Sequence, residues 1–348
     1  MLKQQLRQAH FKAGDHALLR PITNPSRIWL TKPLTPAEKV NVDRGAIPHS
    51  CIIGLKPRSL IKSKTQSYIV TKPTTEEYIT LGKRAAQPIY HHDANAIVNL
   101  ADIHATYPEI QLDPHTNTYK AQDGFKPKQY LEAGTGHASL SLSIAQRIHA
   151  ANSFLKPFGI RGSVLHSIDN NPAHSKRGST NLKEFRNGVY QDDVSFHVAD
   201  DLSSWFQSKE CHNWKSLSQT EEEFLDGIFL DMPAIQDQLQ TLTPHLKHDS
   251  PLVTFVPSVT QIIDILRTIQ DLQLPLIHIG TYQLGSGTNG GGLNEWDVKF
   301  TRVRKTGEQG VVCRPKVGVR VVGGGFVAVF RKLGQGMVMD IDGSETTA

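Results

Sequence analysis

Four acidic residues at regular intervals are the groups in this 348-residue chain best placed to do chemistry. Glu132, Asp169, Asp200 and Asp231 each end or follow a short apolar run. They are separated by 37, 31 and 31 residues, the length of one strand-helix unit. The first acid opens a turn, Glu132-Ala-Gly134-Thr135-Gly136, after which His137 and Ala138 lead into an apolar-periodic helix. Two glycines there let the backbone turn sharply and approach a small molecule closely, while the helix start offers free N–H groups. Such a strand-turn-helix binds a ligand, and acids beside it suit one with cationic and hydroxyl groups.

The elements that must position these acids are legible around them. Apolar strands at about 129–132, 163–168, 194–199, 226–231 and 251–256 are joined by helix-length segments, each long enough for a right-handed crossover. This predicts an α/β fold with a doubly wound, mostly parallel, Rossmann-like sheet, the acids along its carboxyl edge where such folds bind ligands. Residues 128–334 form that unit. Before it, residues 1–72 read as a small β-rich domain with strands at 17–21, 27–31, 50–54 and 66–71. Residues 73–127 supply linking helices and a polar loop, the helices at 74–84 and from an Asp93 cap onward. Two stretches, 208–223 and the glycine-rich 285–293, read as insertions. Residues 297–304 and 317–333 resemble the arms of a terminal hairpin, and 335–348 a frayed tail.

Composition narrows the class. A hydrophobic fraction of 38% and a charged fraction of 20% describe an ordinary globular protein. No apolar stretch approaches the roughly 20 residues that span a bilayer, so no membrane partner is expected. Cys51, Cys211 and Cys313 are far apart, which suggests neither disulfides nor a CxxC site and points to an intracellular chain. The net charge of +5 permits a polyanionic partner without requiring one. Met1 to Gly14, basic and without an acid before Gly14, reads as a disordered arm or a short organelle presequence. His91 and His92 have no further ligand at suitable spacing, and no metal is expected.

A nicotinamide dinucleotide calls for Gly-x-Gly-x-x-Gly and an acid about 20 residues further on. Here Ser139 stands at the third glycine and Asp169 lies 33 residues past Gly136. S-adenosylmethionine, which lacks a pyrophosphate, fits better. Glu132 would face its amino-acid end, Asp169 its ribose hydroxyls and Asp200 its adenine amino group. Taken singly, each acid could instead cap a helix or end a turn.

Several ordered motifs then bring a family into view. Leu131-Glu-Ala-Gly-Thr-Gly136 is similar to the cofactor loop of the catalytic subunits of tRNA adenine-58 N1-methyltransferases. Arg44-Gly-Ala-Ile-Pro-His-Ser-Cys-Ile-Ile-Gly54, Pro73 to Glu77 and Lys83 to Asp93 resemble its upstream blocks, and Phe229-Leu-Asp-Met-Pro233 and Phe255 to Gln261 its later strand ends. The resemblance runs from about Phe11 to Leu333. Two departures stand out: His137-Ala138 where the family has Ser-Gly, and Asp231-Met-Pro-Ala-Ile235 without the family's tryptophan. The resemblance implies S-adenosyl-L-methionine as cofactor, bound by Glu132, Gly134, Thr135, Gly136, His137, Ala138, Asp169, Asp200 and Gln87. It implies Asp231 as the catalytic carboxylate and Tyr90 beside the target base. It also implies tRNA as substrate, a tetramer of this chain or with a paralogous non-catalytic subunit, and a nuclear location, with the basic start keeping the mitochondrion open. Lysines and arginines of the small domain, among them Arg44, Lys56, Arg58, Lys62 and Lys64, are either phosphate contacts or a solvated face. The altered motifs also fit a non-catalytic RNA-binding subunit; an NAD-dependent oxidoreductase is a distant third.

Overall fold

The apolar runs named above become strands because both of their faces are covered. In the computed structural model, which describes residues 10–220, 222–288, 291–316 and 322–334 and the backbone of 337–339 and 345–347, they form one seven-stranded sheet. Numbering strands along the chain, β9 (Lys128–Ala133), β10 (Ser163–Asp169), β11 (Val194–Val198), β12 (Gly227–Leu230) and β13 (Pro251–Val256) pair in parallel in the order β11-β10-β9-β12-β13. Two more strands, β14 (Leu276–Leu284) and β17 (Gly325–Lys332), continue it as β13-β17-β14, with β17 antiparallel to both neighbours. Residues alternate between two hydrophobic layers. Tyr130, Leu165, Phe229 and Val253 pack under the helices His91–Ala101 and Ser139–Leu155; Leu131, Ile168, Ile228 and Leu252 pack on the other face against Trp205, Phe224, Leu239 and Ile262.

The terminal hairpin differs from its expected pairing. Strand β15 (Trp296–Arg302) pairs with β16 (Gln309–Pro315) as a separate ribbon, while β17 enters the main sheet; residues 317–321 lie outside the described ones. Val327, Ala328, Val329 and Phe330 are all buried, which only a strand covered on both faces and both edges can satisfy. The true hairpin partner of β17 is β14, whose half-exposed edge gives it a mixed pattern without a clear strand period. The expected frayed tail falls mostly outside the described residues.

Upstream, β1 (Leu18–Pro21), β2 (Trp29–Leu30), β5 (Ser59–Ser63) and β6 (Gln66–Thr71) form an antiparallel sheet in the order β2-β1-β6-β5. A hairpin of β3 (Lys39–Val42) and β4 (Gly45–Pro48) adds Ile47 to a core of Phe11, Leu19, Leu34, Ile52 and Tyr68. The expected strand at 50–54 is instead a 3-10 turn, His49–Cys51, running into Gly54 at φ 89°. The polar loop at 106–126 contains a hairpin, β7 (Ile110–Asp113) with β8 (Thr118–Ala121). Asp15 accepts from the Asn187 side chain at 2.6 Å and the Tyr78 hydroxyl donates to the Asn181 carbonyl at 3.0 Å, tying the N-terminal part to the main sheet's helices.

A buried polar chain crosses β9, β10 and β11. His166 approaches Gln129 Oε1 at 3.1 Å and His197 at 3.2 Å, and His197 meets Glu210 at 3.2 Å. Burial holds both imidazoles below the usual histidine range, His166 well below it. The unfolded chain therefore binds more protons than the folded one below about pH 6.5, and this contribution to stability is lost as pH falls from there. A His166→Gln variant should be less stable than the parent at pH 7.5, and the gap should narrow by on the order of 2 kcal/mol by pH 5. Denaturant titration at the two pH values measures it; a pH-independent gap would show that His166 titrates in the fold as it does in the unfolded chain, and a gap that widens toward pH 5 that it is charged in the fold.

Candidate active site

The turn after β9 is held open by its glycines. Gly134 has φ 99°, and a Cβ there would overlap the carbonyl oxygen of Asp231 at the end of neighbouring β12. Only glycine allows the two strand ends to approach so closely. Gly136, at φ 49°, directs its N–H to Asp169 Oδ2 at 3.0 Å. Ala138 also adopts the left-handed region, φ 61°, before the helix starts at Ser139. Thr135 turns inward, its hydroxyl 2.7 Å from that of Ser167.

Above this turn opens a cavity of about 510 Å³ along the carboxyl edge of the sheet. Gly134, Gly136, Asp169, Asp200, Asp231 and Gln87 all line it. Asp169 is fixed from below: Oδ1 accepts from the Asn171 N–H at 2.9 Å, and His174 lies 3.5 Å away. Ile168 and Leu202 add apolar surface beside the acids. Asp231 is different. Its backbone N–H donates to the Ala133 carbonyl at 3.0 Å, but its carboxylate has no hydrogen-bond partner among the described residues. Burial alone pushes it up to about 7.

The other expected site residues sit around the cavity rather than in its wall. Glu132 lies beneath the turn, 1% exposed, accepting from the hydroxyls of Ser141 and Ser167. Burial pushes its carboxyl up to about 7, against the two serine hydrogen bonds. It therefore braces the first turn of the following helix instead of presenting a carboxylate to the cleft. His137 is buried against the Asn181 side chain and held down at about 4 by burial and by Arg84 and Arg177. With Ala138 it shapes the turn from behind. Tyr90 is 4% exposed, its hydroxyl 3.3 Å from Gln87 Nε2 and its ring under the Arg84 guanidinium at 5.8 Å. Tyr90 thus backs Gln87, which does reach the cavity.

Asn170, His174, Asp201, Met232, Pro233 and Gln238 also line the cavity and were not expected. Asn170, Asp201, Met232 and Pro233 directly follow acids that were, so the strand-end rule extended by one or two residues finds them. Gln238 comes from the 3-10 turn Ile235–Gln238, for which the sequence carries no comparable signal.

No protein-family model matches the chain. In sequence it is 25% identical over 228 residues to the tRNA (adenine(58)-N(1))-methyltransferase TrmI of Thermus thermophilus, an alignment covering 65% of this chain and 70% of that protein; the proteins of two strains of that organism match alike. The fold superposes on a SAM-dependent O-methyltransferase from Thermotoga maritima with a TM-score of 0.63 at 16% identity, over 95% of this chain and 97% of that one. It superposes on the tRNA (m1A58) methyltransferase TrmI from Aquifex aeolicus with a TM-score of 0.58 at 18% identity, over 93% and 99%. The fold is therefore the Rossmann-like methyltransferase fold, and in sequence the chain resembles the tRNA adenine-58 N1-methyltransferases.

The unpartnered Asp231 has a thermodynamic consequence. Its carboxyl is raised in the fold, so the cost of burying the charge accumulates as pH rises from about 4 to about 7. Asp231→Asn should stabilise the protein by on the order of 2–4 kcal/mol at pH 8 and by nothing near pH 4. Denaturant unfolding of both proteins at the two pH values checks this, and equal stability at pH 8 would mean the carboxylate is solvated or paired.

Proposed function

We propose that this chain is an S-adenosylmethionine-dependent tRNA methyltransferase that forms N1-methyladenosine at position 58 in the T-loop. The observation that carries the reading is Asp231: a half-buried, unpartnered carboxylate beside the glycine turn, within a motif that resembles that of the family whose members are named for this reaction.

The fit to S-adenosylmethionine rests on the chain's own residues. Gly134 and Gly136 leave no side chain over the turn, Asp169 and Asp200 stand at adjacent strand ends for ribose hydroxyls and an adenine amino group, and Ile168 and Leu202 offer walls for an aromatic ring. When bound, the cofactor supplies an electrophilic methyl group on a sulfonium. Adenine N1 has an in-plane lone pair, so no residue need remove a proton before attack, and positioning is most of the catalysis. As the N–CH₃ bond forms, the base becomes cationic and its exocyclic amino group a stronger donor. Ionised Asp231 accepts from that group and stabilises the growing charge in a water-poor site. Desolvation, which makes the Asp231 charge costly in the fold, is what makes this interaction strong.

Two features mark out the rest of the reading. Gln87 lines the cleft with the strand-end acids and in this reading contacts the cofactor, while Tyr90, 3.3 Å behind it, lies toward the extruded base. The N-terminal β unit, residues 1–72, carries Arg44, Lys56, Arg58, Lys62 and Lys64 for phosphates. In this reading the working assembly is a tetramer, of this chain or with a paralogous subunit.

The decisive assay methylates unmodified tRNA with the chain alone and with a candidate partner subunit, reading the product by reverse transcription. The extension should stop at the T-loop adenine, because the methyl blocks the pairing edge. Asp231→Ala should lower turnover by roughly 10²–10³-fold while S-adenosylhomocysteine still binds by calorimetry. For the parent, kcat/KM should rise with pH through about 7 as Asp231 ionises. Undiminished turnover in the variant refutes the role of Asp231; cofactor binding without methylation in any assembly favours an RNA-binding subunit.

A further inference from the structure

The β15–β16 ribbon is foreign to the main sheet, and its charge is unlike that of the rest of the chain. Between Trp296 and Pro315 it holds five bases, Lys299, Arg302, Arg304, Lys305 and Arg314, against two acids, Asp297 and Glu308. That excess of three, in 20 residues, compares with a net +5 for the whole chain. Lys299 pairs with Asp297 and Lys316 with Glu295, but Arg302, Arg304, Lys305 and Arg314 are exposed and form no ion pair among the described residues. Three of these four lie at the tip. The apolar side chains of the ribbon are exposed as well: Trp296, Val298 and Phe300 share one face, and Phe300, paired across to Val311, is 74% exposed. Cations interleaved with uncovered aromatic rings suit unpaired nucleic acid, with phosphates taken by the cations and bases stacked on the rings.

The root of the ribbon is pinned beside the cleft by a single carboxylate. Asp93, in the first turn of the helix His91–Ala101, is 1% exposed. It accepts the N–H of Gly291 at 2.6 Å on the way into the ribbon and that of Gly324 on the way out. Gly287 and Val322 pair between the same two segments. The return segment then meets the carboxyl end of β13, where a Cβ on Gly325 would come 2.8 Å from the Phe255 ring. On its other side Asp93 is one helical turn from Tyr90, which backs Gln87 in the cavity wall. One short stretch, 87–93, therefore touches both the cleft and the ribbon.

We propose that the β15–β16 ribbon is an arm that grips the RNA substrate outside the cleft, and that Asp93 is the positioning residue that sets its direction. The inference rests on the RNA-methylating reading and deepens it. A second copy of this chain is the competing occupant of the apolar face; the charge excess favours RNA.

The test measures binding of unmodified tRNA to the full chain by fluorescence anisotropy across a salt series without cofactor, so that it does not depend on methylation. Replacing Arg302, Arg304 and Lys305 together by alanine should weaken binding about tenfold or more at low salt and reduce the log–log salt slope by roughly 2–3. S-adenosylhomocysteine affinity should be unchanged. Asp93→Asn should raise KM for tRNA several-fold with a smaller effect on kcat. Gly291→Ala, whose Cβ would come 2.6 Å from that of His92 in the first turn of the helix, should act in the same direction by displacing the loop from the helix start while leaving the Asp93 carboxylate in place. Combining these two should cost little more than either alone. An unchanged tRNA affinity and salt slope in the triple variant overturns the arm. So does a Phe300→Ser variant that dissociates the assembly in native mass spectrometry while binding tRNA as before, which would make the face an interface between copies. Parent protein that binds tRNA through the arm yet methylates none would refute the methylation reading and leave the arm standing.

Discussion

The tightest constraint in the molecule is the meeting of Gly134 with the carbonyl of Asp231. Strand order β11-β10-β9-β12-β13 reverses between β9 and β12, and the connections leaving these two strands diverge over opposite faces of the sheet. A crevice opens at that reversal as a matter of topology. How narrow it is depends on the absence of a side chain at 134, since any Cβ would collide with the backbone of β12. The same glycine therefore sets the distance between the turn after β9 and the Asp231 carboxylate. Asp169, held by the Gly136 N–H, completes the geometry from the other flank.

Electrostatics divides the acids of this edge into two kinds. Glu132 is buried and satisfied, with two hydroxyls donating to it, and its work is to hold the helix Ser139–Leu155 against β9 and β10. Asp231 is half-buried at the cavity wall and unsatisfied among the described residues. An unpaired carboxylate in a low-dielectric setting is expensive for folding, and structures retain one where a ligand will supply the missing donor. The two carboxyls also oppose each other: Asp231 helps hold Glu132 up, so ionising one discourages the other. A cationic group in the cleft would relieve both.

Much of this was legible from sequence because period and punctuation agree. The five parallel strands were readable since strands covered on both faces are continuous apolar runs, and their acids fell where the runs stop. Of the expected acids, Asp169, Asp200 and Asp231, at or just past a strand end, reached the cavity, whereas Glu132, the last but one residue of β9, did not. Side chains alternate across a strand, and one position decides between the wall of a cleft and the packing beneath it. Tyr90 illustrates a related point: a tyrosine's type says it can stack on a base, but only tertiary packing shows that its ring lies 4% exposed behind Gln87. The edge strand β14, the short β3–β4 hairpin and the pairing of β17 were missed because exposed or two-to-four-residue elements leave little periodic signal.

Asp93 shows where a local reading stops being sufficient. An acid before an apolar helical period reads as a cap, yet the helix begins two residues earlier, with Tyr90 at its cap and Asp93 in the first turn. Its carboxylate is directed away from the helix to two backbone N–H groups that lie 198 and 231 residues along the chain. Burial disfavours its charge, and those two donors offset the cost, so the carboxylate and the loop segments stabilise one another. Because Gln87 and Tyr90 precede the same helix, a shift at the root of the ribbon cannot be absorbed there without moving the wall of the cleft. The fold thereby joins the root of the ribbon to the wall of the cleft through one helical turn.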